Sequence, residues 1–153
     1  MRAIVIAFGA NLGERRSSLQ SAADAVAQLL ANFRLSSVIE TAPVGAGLEN
    51  DPPYLNAVAV GESDRPVREI FKALRAIEQQ AGRTRLYPGA PRTLDLDLIL
   101  AGDEVVEEAD LQVPHPRFRD RLFVLDPLAE IAPDLIDPVT RLTIRELRDR
   151  ART

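Results

Sequence analysis

Residues 91–100 read PRTLDLDLIL. Leu94, Leu96, Leu98 and Leu100 stand at alternate positions, the period of a strand that turns one face to a core. Asp95 and Asp97 share the opposite face, about 6.6 Å apart along a strand. Ile99 and Ala101 continue that second face with apolar groups, so it is expected to be partly covered. A partly covered pair of acids needs positive charge beside it. Arg83, Arg85 and Arg92 cluster just before the pair, and Arg117, Arg119 and Arg121 follow His115.

The rest of the chain supplies a sheet for this strand. AIVIAF (3–8) is a short apolar run ending at Gly9 and reads as a central strand. Leu19, Ala22, Val26, Leu29, Leu30 and Phe33 recur at helical spacing, which predicts a helix over 15–31. RLSSVIET (34–41) and YLNAVAVGE (54–62) read as strands, separated by a loop rich in Gly and Pro (42–53). Pro66 marks a helix start, Val67, Ile70, Phe71, Leu74 and Ile77 its buried stripe, and Gly82 its stop. A second Gly/Pro loop, 83–91, leads into the acid strand. A hairpin is expected at AGDE (101–104), then short helices and turns, with a final amphipathic helix near 143–150. The order β-α-β-β-α-β is the ferredoxin-like plan. We therefore expect an α+β fold: an antiparallel sheet with helices packed on one face, plus a C-terminal β-hairpin and short helices. Fold alone does not fix function.

Composition bounds the chemistry. The 153 residues favour one domain over 1–153, with a single core. No apolar run approaches a membrane span, and the N-terminus lacks a basic-then-apolar signal pattern. There is no cysteine and one histidine, His115. A zinc site of the His/Cys type is therefore disfavoured, and a metal here would be a hard cation held by oxygen. A reducing cytoplasm fits. A net charge of −4 argues against a general nucleic-acid surface. Among 19 basic residues only Lys72 is lysine, a bias that a GC-rich genome produces without functional meaning.

An acid pair on an open strand face can be solvated and nothing more, and arginine beside aspartate can be simple charge pairing. The register argues further, because core-facing leucines oblige both acids to point together. Carboxylates for Mg²⁺ beside guanidinium groups for phosphate oxygens are what phosphoryl-type transfer needs. GANLG (9–13) lacks the Lys-Ser/Thr ending of a nucleotide-binding P-loop and reads as a strand-to-helix turn. His115, between two prolines in VPHP, reads equally as a structural histidine or a phosphate contact. Tyr54 and Phe123 are core aromatics by default. Asn56 shares a strand face with Tyr54, and a flat heterocycle there would stack on an aromatic and bond to the amide.

APRTLDLDLIL (90–100), VPHPRFRDRLFVLDPLAEIAP (113–133), FGANLG (8–13), ETAPVG (40–45) and PPYLNAV (52–58) together resemble the 6-hydroxymethyl-7,8-dihydropterin pyrophosphokinases. The resemblance runs in order over nearly the whole chain. It implies transfer of pyrophosphate from ATP to the hydroxymethyl oxygen of a reduced pterin, releasing AMP, in folate synthesis. It implies that Asp95 and Asp97 hold two Mg²⁺ ions and that Arg83 and Arg92 act on the transferring phosphates. It puts Thr41, Ala42, Val44, Tyr54, Asn56 and Phe123 at the pterin. Glu78, Arg85, Ile99, His115 and Arg121 fall near ATP, and the loops 42–53 and 83–91 match segments that close over the substrates. The chain departs from the family where Gly89 stands in place of an aromatic and Asp110 in place of a basic residue. The expected partners are these two small molecules, with no nucleic acid or membrane, and nothing demands more than a monomer.

Two rival classes are distinguishable. A two-metal nucleotidyltransferase would release pyrophosphate instead of AMP, and calls for a third nearby acid and a basic groove. A non-catalytic ferredoxin-like module, sensing a ligand or binding RNA, would have no use for Asp95 and Asp97, or would expose more aromatics on its central strands.

Overall fold

The computed structural model describes residues 1–10, 15–41, 54–82 and 94–153. The main sheet is antiparallel, ordered β2-β4-β1-β5, with β3 also pairing β4. Its strands are β1 (Arg2–Ala10), β2 (Ala31–Leu35), β3 (Ile39–Thr41), β4 (Tyr54–Ser63) and β5 (Leu94–Ala101). Helices α1 (Arg15–Ala27) and α2 (Val67–Gly82) make the two crossovers of the ferredoxin-like plan. A two-stranded ribbon, β6 (Val106–Glu107) with β7 (Gln112–Val113), precedes a 3-10 turn at Phe118–Asp120 and helices α3 (Leu122–Ile131) and α4 (Ile144–Ala151).

The central strands β1 and β4 are near-continuous apolar runs because both faces of the sheet are covered. Ile4, Ile6 and Phe8 of β1 pack with Leu19, Ala22 and Val26 of α1 and Ile70 and Leu74 of α2. Val5 and Ala7, the alternate residues, pack with Val58 and Val60 of β4, Val124, Leu125 and Leu128 of α3, and Ile144 and Leu147 of α4. The expected one-sided helix layer is thus corrected to two layers. The apolar stripes of the short C-terminal helices have the second face of the sheet as their partner.

Four local expectations also change. The helix expected over 15–31 stops at Ala27, and Phe33 lies in β2. The last helical turn closes with Gln28 and Leu29 donating to the Ala25 and Val26 carbonyls at 3.2 and 2.9 Å, and Asn32, already within β2, takes a left-handed backbone (φ 52), which Asn tolerates. Leu30 still enters the same core, pressed against Gly61, where an added Cβ would stand only 2.6 Å from the Leu30 Cβ. The strand expected over 34–41 is broken at Ser36–Val38. The buried Ser36 hydroxyl replaces a ladder acceptor, taking the Val58 N–H at 2.9 Å, and Glu130 of α3 accepts the Ser37 N–H at 2.8 Å. The turn at Ala101–Glu104 does not fold back along β5. Gly102 (φ 57) donates to the Ala3 carbonyl at 2.8 Å and Glu104 ion-pairs with Arg2, so the chain stays beside β1 and the hairpin forms later, between β6 and β7.

The fourth correction concerns the acid strand. Against β1, Leu96 faces Phe8 and Leu98 faces Ile6, but Leu100 faces Val5. Two residues, Ile99 and Leu100, therefore occupy one step of the ladder, which is a β-bulge. Leu94, Leu96 and Leu98 stay in the α1/α2 core, whereas Leu100 joins Ile99 on the α3/α4 side and Ala101 swings to the first. The alternation that marks residues 94–98 does not extend to Leu100.

Candidate functional site

The register places the candidate residues in rows across three strands. Gly9 of β1 is opposite Asp95 on one side and Asn56 on the other, and Ala7 is opposite both Asp97 and Val58. All lie on the face covered by α3. Because Gly9 and Ala7 are small, the floor between the carboxylates and Asn56 stays low. A cleft of about 430 Å³ opens over it, lined by Thr41, Tyr54, Asn56, Asp95, Asp97, Arg121, Phe123 and Val124, with Ala7, Phe8, Gly9 and Ala57 beneath.

One end of the cleft suits a flat polar ring. Asn56 is 7% exposed, and its amide donates to the Thr41 hydroxyl at 2.7 Å. That bond fixes the amide plane, and Tyr54 stands beside it at the start of β4. Across the cleft Phe123 keeps 36% of its surface exposed, an unusual exposure for so large an apolar ring, with the Arg121 guanidinium 5.6 Å from its centroid. The other end carries Asp95 and Asp97. Among the described residues no group of three or more His, Cys, Asp or Glu converges on one point. Two carboxylates do not make an all-protein cage, but they match the way Mg²⁺ binds, through one or two carboxylates with substrate phosphates completing the shell. The donor set therefore fits a cation held jointly with substrate.

Asp97 also borders a second cleft of about 220 Å³, lined by Phe71, Arg75, Leu96, Leu98, Asp110, Gln112 and His115. Burial holds the His115 imidazole below its ordinary pKa; the Asp97 carboxylate opposes this, and Arg121 and Arg117 reinforce it. The neutral ring accepts the Arg117 backbone N–H at Nδ1 (3.1 Å), which leaves the proton on Nε2. The His115 backbone N–H donates to the Ile99 carbonyl at 2.9 Å. Ile99 itself is buried in the α3/α4 core and turns no side chain into either cleft. Glu78 lines neither cleft. Its carboxylate accepts the Leu96 backbone N–H at 2.8 Å and pairs with Arg75 at 2.9 Å. Asp110 bonds to Arg68 at 2.8 Å, in a cluster with Glu108, and Arg68 holds its pKa below the usual carboxylate range.

The structure thus gathers Thr41, Tyr54, Asn56, Asp95, Asp97, Arg121 and Phe123 around one cleft and His115 beside its neighbour. Ala42, Val44, Arg83, Arg85, Gly89 and Arg92, and the two loops expected to close, lie outside the described residues. Gly9 and Ala7, the cleft floor, escaped the sequence reading. Their signal was only a loss of bulk at the end of an apolar run.

Comparison with known proteins identifies a family. Residues 5–133 match the family model described as 7,8-dihydro-6-hydroxymethylpterin-pyrophosphokinase. The chain is 42% identical over 146 residues to the 2-amino-4-hydroxy-6-hydroxymethyldihydropteridine pyrophosphokinase of Synechocystis, covering 94% of this chain and 73% of that one. It is 43% identical over 129 residues to the enzyme of the same name from Bacillus subtilis, covering 82% and 75%. Among solved structures, the wild-type HPPK-DHPS of Plasmodium falciparum shares the fold with a TM-score of 0.73 at 13% identity. That match covers 97% of this chain and 44% of the other, so this chain spans under half of that protein. On this sequence evidence the chain belongs to the 7,8-dihydro-6-hydroxymethylpterin-pyrophosphokinase family.

Proposed function

We propose that this chain transfers the pyrophosphoryl group of ATP to the hydroxymethyl oxygen of 6-hydroxymethyl-7,8-dihydropterin, a step in folate synthesis. The bond formed joins that oxygen to the β-phosphorus; the bond broken joins the β-phosphorus to the bridging oxygen that leaves with AMP. The observation that carries the reading is the placement of Asp95 and Asp97 at one end of a cleft whose other end holds Tyr54, Asn56, Thr41 and Phe123. A pterin ring is flat, with a hydrogen-bonding edge. Stacking near Phe123 and bonding to the fixed Asn56 amide would orient its hydroxymethyl arm along the floor of Gly9 and Ala7 toward the carboxylates.

Asp95 and Asp97 would hold two Mg²⁺ ions, which when bound supply positive charge to the phosphates and align the attacking and leaving oxygens. The second cleft shares Asp97 and suits the nucleotide, with Phe71 and Arg75 on one wall and the His115 Nε2–H available to a phosphate oxygen. Arg83 and Arg92, by their match to the family motif, would stabilise charge on the migrating group. No protein nucleophile is needed, in keeping with a chain that has no cysteine. Incubation with ATP, Mg²⁺ and the pterin should yield AMP and the pterin diphosphate in equal amounts. Appearance of ADP, or no pterin-dependent turnover, would sink the reading.

A further inference from the structure

The wall of the cleft that carries Arg121, Phe123 and Val124 begins where α3 begins, and that start is poorly secured by its own sequence. Arg117 precedes the 3-10 turn and Arg121 precedes α3, and neither side chain caps the helix it opens. Helix starts without a capping side chain are held by tertiary contacts or fray. Here the hold comes from two neighbouring residues. Phe118 is wholly buried in the α3/α4 core. Arg119 grips Asp137 in a two-pronged pair, Nε to Oδ2 at 2.5 Å and Nη2 to Oδ1 at 2.9 Å.

Asp137 is fully buried and belongs to a closed turn. Its carboxylate also accepts the Val139 N–H at 3.1 Å and the Thr140 hydroxyl at 2.7 Å. Its backbone bonds to Leu142 and Arg141, and Arg141 takes a left-handed backbone (φ 65) to complete the turn. The turn runs straight into α4, whose start carries a full capping box between Thr143 and Glu146. A well-fixed C-terminal platform therefore holds a weakly capped, cleft-facing segment through the buried Phe118 ring and one directional ion pair. Asp137 lies beyond residues 5–133, the stretch matched by the family model.

We propose that Arg119 and Asp137 are positioning residues for the pterin. Their two-pronged pair sets where Arg121 and Phe123 stand, and with them the width of the ring-binding end of the cleft. A planar guanidinium bound to both carboxylate oxygens fixes direction as well as distance, which a single contact does not. The inference rests on the pterin reading of this cleft.

The test uses the full chain and measures dissociation constants for 6-hydroxymethyl-7,8-dihydropterin and, separately, for a non-hydrolysable ATP analogue with Mg²⁺. Asp137→Asn keeps the shape of the turn but weakens the two-pronged pair. Pterin binding should weaken on the order of tenfold, as expected for a displaced substrate-facing group, with nucleotide binding little changed. Arg119→Lys, which keeps the charge but not the fork, should do the same and serves if Asp137→Asn does not fold. Leu147→Ala is the control: it loosens α4 packing without touching the pair, and should lower the melting temperature while leaving pterin binding unchanged. Wild-type pterin affinity in folded Asp137→Asn or Arg119→Lys, or equal weakening in Leu147→Ala, overturns the proposal alone. Failure of the wild-type chain to bind the pterin overturns the functional reading and this inference with it.

Discussion

Glu78, on α2, reaches the outer edge of β5 and accepts the backbone N–H of Leu96 at 2.8 Å, midway between Asp95 and Asp97. A strand at a sheet edge leaves alternate N–H groups without a ladder partner. Here one is met by a carboxylate that is itself 9% exposed and paired with Arg75. Three residues on, the Ile99 carbonyl takes the His115 N–H, so the edge is pinned on both sides of Asp97. Glu78→Ala should cost about 1–3 kcal/mol in urea unfolding, the range for a charged hydrogen bond lost with its donor left unsatisfied. Glu78→Gln, which keeps an acceptor oxygen, should recover much of that loss. Equal losses in the two variants would show that the bond to Leu96 is not what matters.

Replacing either acid of the pair should separate stability from turnover. Asp95→Asn and Asp97→Asn each remove one of two like charges on the same strand face. In Asp97→Asn thermal unfolding should be unchanged or slightly improved, since like-charged neighbours on a sheet face disfavour folding. Metal-dependent turnover should fall by several orders of magnitude. Retained turnover with Mg²⁺ would contradict the assignment of the pair.

Asn56 and Thr41 make a prediction about recognition. Asn56→Ala removes the amide that Thr41 orients, and pterin affinity should weaken about tenfold or more, the equivalent of one buried hydrogen bond. Thr41→Val preserves shape but frees the amide to rotate, so a smaller loss is expected. Calorimetric titration with the pterin checks both, and a Thr41→Val loss exceeding that of Asn56→Ala would reverse the proposed order of roles.

Asp137 predicts how acid unfolds the chain. Its burial raises the carboxyl pKa, but bonds from Arg119, Thr140 and Val139 more than offset this, leaving it below the ordinary 3.8. A depressed folded value means the group stabilises the fold above its unfolded pKa, with that contribution lost as pH falls through the folded value. Asp137→Ala should therefore cost about 3 kcal/mol at neutral pH, where it strands Arg119. The gap from wild type should narrow below about pH 4. Urea unfolding of both proteins at pH 7 and pH 3 measures this; a gap of constant size would rule out ionised Asp137 as its source.

What the sequence made legible follows from where a local pattern has one physical cause. The acid pair stood out because two charges interrupt an apolar alternation, and leucines on the other face settle the direction of both. Strands β1 and β4 were readable as apolar runs, but a run does not say that a second layer of helices covers them. The bulge at Ile99 was hidden because LIL reads equally well as plain alternation. Leu29, Leu30 and Phe33 keep helical spacing, yet the helix closes in a turn at Gln28 and Leu29 because the residues from Ala31 on pair with β4, a partner distant in sequence. Asp137 gave no signal, being one acid in a polar turn far along the chain from the arginine it holds. Gly9 and Ala7 contribute by being small, which no motif records.

The bulge in β5 has a bearing on which changes this chain could survive. Before it the strand serves one layer of helices with its leucines; after it, Leu100 serves the other. Ile99 and Leu100 are both buried on that second side, so a polar group at either would lack a partner there. Deleting one residue of that doubled step would restore plain alternation, leaving Leu98 opposite Ile6, a single residue opposite Val5, and Ala101 and the Gly102 corner on their present sides. This one step of β5 should therefore survive the loss of a residue that anywhere else in the strand would turn its neighbours to the wrong layer.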